Sequence, residues 1–221
     1  MIIKIFFDGK DEFDVNISYK KVNGFVNKLL GENNPYHGKF SKYSVSRLQN
    51  GTYLDGNVIF VDGAFLTISS CDNEFIDKIV LSLTYNRNEL YISNLKFRKF
   101  ELSEFNVHSE YDIIRTTSPI RLQTKDKFIT FEDDEFVPHL REKSIKKLIH
   151  NGLTERIANT LDFELFHPEN SKIRFYNING CKNICSQVML LVKGNKEARK
   201  LIYELGLGSS TGFGFGSVKL I

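Results

Sequence analysis

The apolar positions of this chain fall into two successive series of the same kind. Residues 1–8 form a short apolar run that predicts a strand. Val22, Phe25, Val26, Leu29 and Leu30 then recur at helical spacing between Ser18, read as an N-cap, and Gly31, read as the residue that ends the helix. Strands are expected at 42–48, 57–61 and 64–70, punctuated by Asn50-Gly51, Asp55-Gly56 and Asp62-Gly63, dipeptides that tight hairpin turns favour. A helix over 72–85 carries Phe75, Ile79 and Leu83 on one face, and a strand at 90–97 closes the series. The order β-α-β-β-α-β is that of a ferredoxin-like unit.

Past a polar linker near 102–109, the pattern predicts strands at 113–123 and 128–131 and a helix over 135–150 carrying Val137, Leu140, Leu148 and Ile149. Strands at 160–166, 173–178 and 184–192 follow. A last helix carries Ala198, Leu201, Ile202 and Leu205, and a terminal strand runs over 218–221. The second series is thus an embellished copy of the first, although no sequence repeat is visible between them. The expected fold is α+β, with tandem ferredoxin-like (RRM-like) halves, antiparallel sheets and a C-terminal glycine-rich loop. The expected domains span 1–104 and 105–221.

The chain has 221 residues, 41% of them hydrophobic, which is enough for packed cores. A formal charge of +3 permits a polyanionic partner without requiring one. No apolar run approaches the ~20 residues of a membrane span, and the N-terminus lacks the apolar core of a signal peptide, so a soluble, cytoplasmic protein is expected. Cys71, Cys181 and Cys185 show no C-x-x-C spacing and read as free thiols rather than as disulfides or a zinc site. The acidic run from Glu132 to Glu135 precedes a helix, where carboxylates are expected on dipole grounds, and it reads as a helix start rather than a magnesium site. Neither metal nor cofactor is expected.

Five of the 15 glycines lie between Gly206 and Gly216. Residues without Cβ let successive N–H groups point into one concavity, and such nests bind phosphate oxygens. Here a helix precedes the loop and a strand follows it, the reverse of phosphate loops that open a helix. No G-x-x-x-x-G-K-[ST] occurs, and Gly212-x-Gly214-x-Gly216 lacks the third glycine of the dinucleotide pattern, so a nucleotide cofactor is not expected.

Gly206-Leu207-Gly208, five residues, and Gly214-Phe215-Gly216 together resemble the C-terminal signature of the CRISPR-associated endoribonucleases that cut repeat RNA, the sixth Cas family of the RAMP superfamily. The preceding stretch from Asn195 to Glu204 is similar to that family's short helix. Where the family often carries Lys or Arg between the glycine triplets, this chain has Ser209, Ser210 and Thr211. His37 lies in the turn-rich Asn33-Asn34-Pro35-Tyr36-His37-Gly38, and the following Phe40 to Ser46 is similar to the strand after the family's catalytic histidine, with Ser44 and Val45 as departures. The resemblance implies a metal-independent endoribonuclease acting on CRISPR precursor RNA within its repeats. In that reaction the ribose 2′-OH attacks its own phosphorus, leaving a 2′,3′-cyclic phosphate and a 5′-OH.

Such chemistry needs a group titrating near neutrality, a fixed cation and oriented donors. His37 is the candidate general base or acid, Lys42 or Lys39 the cation, and Tyr19 or Tyr36 the group that orients the 2′-OH or the leaving oxygen. RNA contact is expected from Gly206, Gly208, Ser209, Ser210, Thr211, Gly212, Gly214 and Gly216, from the basic helix residues Arg141, Lys143, Lys146 and Lys147, and from Arg121. Thr117-Ser118-Pro119-Ile120-Arg121 resembles the strand that starts the family's second domain. The implied partners are CRISPR repeat RNA, as precursor and as processed guide, and other Cas effector subunits; monomer and homodimer both remain open. A non-cleaving RNA-binding subunit of a Cas effector complex is the alternative, and a small-molecule sensor a remoter one.

Overall fold

A computed structural model describes residues 1–31, 36, 42–108, 110–178 and 180–221 of the chain. The first half contains β1 (Ile2–Asp8), β2 (Asp11–Asp14), α1 (Val15–Leu30), β3 (Tyr43–Val45), β4 (Thr52–Leu54), β5 (Asn57–Phe60), β6 (Ala64–Ser70), α2 (Asn73–Tyr85), β7 (Tyr91–Ile92) and β8 (Leu95–Ser103). Its main sheet runs β3-β6-β1-β8-β7 and every pairing is antiparallel. Alternation along β1 buries Ile3, Ile5 and Phe7 under the helices, and the apolar stripes of α1 and α2 meet them.

The helix α1 starts earlier than Ser18. The Asp14 carboxylate accepts from the Asn16 and Ile17 N–H groups at 2.8 and 3.3 Å and acts as the N-cap, which leaves Ser18 buried inside the helix. The strand expected at 57–61 also pairs elsewhere: β5 lies between β2 and β4 in a separate three-stranded sheet.

The second half contains β9 (Tyr111–Thr116), β10 (Leu122–Gln123), β11 (Phe128–Ile129), α3 (Phe136–His150), α4 (Glu155–Ala158), β12 (Asp162–Phe166), β13 (Lys172–Ile178), β14 (Cys181–Gln187), β15 (Met189–Lys193), α5 (Lys196–Leu205) and β16 (Val218–Leu220). Its main sheet runs β12-β15-β9-β16, again antiparallel. With the four main strands of each half numbered in chain order, both sheets read 2-3-1-4, so the fold is a double ferredoxin-like one. Two expected strands are broken. The run 184–192 divides at Val188 into the end of β14, which pairs with β13 in a ribbon, and β15, which enters the sheet. The run 113–123 divides around Ser118-Pro119.

Each half has its own apolar core, and a third cluster of Tyr19, Tyr176, Ile178, Cys185 and Phe215 lies on the seam between them. Polar contacts fix that seam. Arg47 N–H donates to Ser118 Oγ at 2.8 Å, Thr211 Oγ1 to the Tyr43 carbonyl at 3.1 Å, and Ser69 Oγ to the Glu204 carbonyl at 3.1 Å. Among the described residues, no helix is long and apolar enough to cross a membrane.

Candidate functional site

The glycine-rich segment follows α5 and folds back between the halves. Gly206, Gly208, Thr211, Gly214 and Gly216 are buried, Ser209 and Gly212 half-buried, and Ser210 exposed. Several of its main-chain N–H groups are committed internally: Leu207 N–H donates to the Gly216 carbonyl at 2.8 Å, Ser209 N–H to the Arg121 carbonyl at 2.9 Å, and Gly216 N–H to the Pro119 carbonyl at 2.9 Å. Phe213 and Gly214 N–H groups close a 3₁₀ turn onto Ser210 and Thr211.

The expectation that loop amides form an anion-binding nest is therefore corrected for Ser209, Gly214 and Gly216, because an N–H already paired with a carbonyl is not available to phosphate. The glycines serve close backbone approach instead. A Cβ on Gly216, at φ +64°, would sit 1.8 Å from the Leu207 carbonyl oxygen, and one on Gly208 would sit 2.6 Å from that of Arg121.

What the loop presents outward is Ser209 and Ser210, with Gly212 and Phe213 partly exposed beside them. Lys143 Nζ reaches Ser209 Oγ and the Gln123 carbonyl, both at 3.0 Å, and Arg121 reaches Ser210 Oγ at 3.3 Å. Burial, then the nearby Arg121 guanidinium, lowers the Lys143 pKa from the usual lysine value.

The basic residues of α3 divide by face. Lys147 is buried at 7% exposure, and its Nζ donates to the carbonyls of Gly206 at 2.8 Å and Gly208 at 3.1 Å. Its expected RNA contact is corrected: it holds the loop from inside, with its pKa pushed down to about 7 by burial and by Lys143. Arg141 turns to the other side, donating to the Leu161 and Asn159 carbonyls at 2.8 and 2.7 Å, and Lys146 pairs with Glu142 on that same side. Neither joins the loop.

Of the first-half candidates, Tyr19 is enclosed in the seam, stacked on Phe215 with ring centroids 5.0 Å apart and edge-on to Tyr176 at 5.0 Å. Burial raises its phenol pKa well above normal. A side chain so enclosed packs rather than orients a substrate, which corrects the expected helper role. Tyr36 rests edge-on against Phe75 at 5.0 Å, and burial, then Asp72 and Glu74, raise its pKa. His37 and Lys39 lie outside the described residues.

Lys42 is half-exposed, with Nζ 3.4 Å from Asp72 Oδ2. It lines a cleft of about 670 Å³ together with Asp72 and Glu74 of the first half and His150, Asn151 and Gly152 of the second. A second cleft, of about 250 Å³, is lined by Arg47, Arg115 and Lys219, again from both halves. On sequence His150 reads as a structural or solvated helix residue, and Arg47, Arg115 and Lys219 do not stand out, because single basic residues in strands and helix ends carry no pattern by which to find them.

The family model described as "CRISPR associated protein Cas6, C-terminal" matches residues 100–220. The chain belongs to the Cas6 family. It is 27% identical to a CRISPR-associated endoribonuclease Cas6 1 of Methanocaldococcus jannaschii, over 94% of this chain and 88% of that one. A solved structure described as "CRISPR associated protein Cas6" superposes with a TM-score of 0.81 at 22% identity, covering 100% of this chain and 99% of the other. One described as "An RAMP protein binding different RNA substrates" reaches 0.81 at 21% identity, with the same coverage. A Cas6-related protein from Pyrococcus furiosus reaches 0.79 at 22% identity, over 100% and 98% of the two chains. The tandem ferredoxin-like architecture is thus that of Cas6 structures. Within it, the glycine-rich segment of this chain is a structural junction whose Ser209–Ser210 rim lies against Arg121 and Lys143.

Proposed function

We propose that this chain is an endoribonuclease that cuts CRISPR precursor RNA within its repeats without a metal ion. The observation that carries the reading is the kinship with a CRISPR-associated endoribonuclease over nearly the full length of both chains. Two sets of cations support RNA as the ligand: Arg121 and Lys143 at the loop rim, and Arg47, Arg115 and Lys219 between the halves. Phosphate contact by lysine and arginine supplies most sequence-independent affinity for nucleic acids.

The ribose 2′-OH attacks the adjacent phosphorus, the O2′–P bond forms as the P–O5′ bond breaks, and the products are a 2′,3′-cyclic phosphate and a 5′-OH. His37 accepts the 2′ proton. Lys42 offsets the charge that builds on the phosphorane, its ammonium steered by Asp72.

The test incubates repeat RNA with the protein in excess EDTA, then repeats the reaction with deoxyribose at the cut nucleotide and with His37→Ala. Cleavage should survive EDTA and disappear with the deoxy substrate. The His37→Ala variant should be slower by about 10²- to 10⁴-fold with little loss of affinity. Metal-dependent cutting, or a deoxy substrate cut at the same rate, would refute the mechanism; binding without cutting would leave an RNA-binding subunit as the function.

A further inference from the structure

The cleft that holds Lys42 is closed on its far side by the end of α3, and the glycine loop dictates that arrangement. On one flank Thr211 Oγ1 holds the Tyr43 carbonyl at 3.1 Å, one residue from Lys42. On the other, Lys147 holds the Gly206 and Gly208 carbonyls, three residues before His150. A single buried junction thus fixes both walls, and Lys42 and His150 line one cleft from opposite halves of the molecule.

Both walls are rigid at their backbones. The Lys42 carbonyl accepts from Ser70 Oγ at 2.8 Å. His150 is the last residue of α3, where Asn151 closes the helix through its N–H and side-chain amide on the Lys147 carbonyl at 3.1 and 2.8 Å. The other titratable groups lining the cleft are Cys71, Asp72 and Glu74. The Asp72 carboxylate is already engaged, by Lys42 at 3.4 Å and by the Phe75 N–H at 3.2 Å.

Transesterification of RNA moves two protons, one off the 2′-OH and one onto the departing 5′-oxygen, and in-line displacement sets these two oxygens on opposite sides of the phosphorus, so that two separate groups can serve them. We propose that His150 is a second catalytic residue, donating its ring proton to the 5′-oxygen as the P–O5′ bond breaks, so that the site is assembled from both halves across this cleft. The electron pair of the breaking bond goes to the 5′-oxygen, which takes the proton from the His150 imidazolium, and solvent later reprotonates the ring. The proposal rests on the reading of the chain as a metal-independent ribonuclease.

The experiment compares wild type, His150→Ala and His150→Gln on two repeat RNAs, one all-oxygen and one with sulfur replacing the bridging 5′-oxygen at the cut mapped with wild type. A thiolate leaves without protonation. With all-oxygen RNA both variants should cut about 10²-fold more slowly, at unchanged affinity, as for loss of a general acid. With the sulfur-bridged RNA they should cut within a few-fold of wild type. Unchanged cutting of all-oxygen RNA, or equal slowing on both substrates, overturns the role of His150 alone. Absence of any cutting by wild type sinks the underlying ribonuclease reading instead.

Discussion

Lys147 Nζ donates to the Gly206 carbonyl at 2.8 Å from a position sealed off from water, and no carboxylate shares that contact among its described partners. A buried ammonium paired only with carbonyl dipoles gives up much of its hydration energy, which is why its pKa falls from 10.5 to about 7. In the unfolded chain Lys147 stays protonated to near 10.5, so between these values the unfolded state binds more protons and stability rises with pH. The contribution is complete above 10.5 and lost as pH falls through about 7. Denaturant unfolding of wild type and Lys147→Met across this range should show a wild-type stability that climbs relative to the variant. A constant difference would mean that Lys147 is fully protonated throughout.

Gly216 and Gly24 carry opposite predictions. Gly216→Ala puts a methyl 1.8 Å from the Leu207 carbonyl oxygen at a positive φ, and should destabilise by several kcal/mol, on the order of the largest single-site effects. Gly24 lies in α1 with nothing beyond the local helix backbone within 4 Å of its would-be Cβ, so Gly24→Ala should stabilise by about 0.5–1 kcal/mol. Thermal melts of the two variants decide both.

The pair Arg199–Asp112 is fully buried at 2.6 Å, and Asp112 also accepts from Tyr203 Oη at 3.0 Å and from the His108 N–H at 2.9 Å. Removing one partner strands the other charge, so Arg199→Met should cost about 3–5 kcal/mol in denaturant unfolding. Arg199→Met with Asp112→Asn should cost less than the sum of the single changes.

At the loop rim, Arg121→Ala and Lys143→Ala should each weaken repeat-RNA binding and lower the salt slope of log K by roughly one phosphate contact. Arg141→Ala should leave the slope unchanged, since that guanidinium faces Leu161 and Asn159. Binding titrations at several salt concentrations distinguish the three.

The tandem architecture was legible because apolar periodicity survives in both halves: Val22, Phe25, Val26 and Leu29, like Ala198 and Ile202, are buried as their spacing predicts. Local competition was harder to read. Asp14 and Ser18 are both acceptable caps, and only the geometry before α1 selects Asp14. Glycine-rich composition is ambiguous in a deeper way, because absence of Cβ serves a phosphate and a neighbouring carbonyl equally well. The contact of Gly216 with Leu207 is long-range in space and silent in sequence. On α3, the i, i+4 spacing of Lys143 and Lys147 sets them apart from Arg141 and Lys146, yet spacing does not say which face is turned inward. Neither did it indicate that His150 would line the same cleft as Lys42, since they come from different halves.

The bond from Thr211 to Tyr43 joins residues 168 positions apart, and Ser69 waits 135 positions for the Glu204 carbonyl. During synthesis the first half therefore emerges with part of its sheet uncovered, and that surface is closed only when α5 and the segment after it leave the ribosome. Such a chain carries a late-sealed, association-prone intermediate. A truncation upstream of the glycines would abolish more than a terminal strand: it would leave the amino-terminal half without its lid.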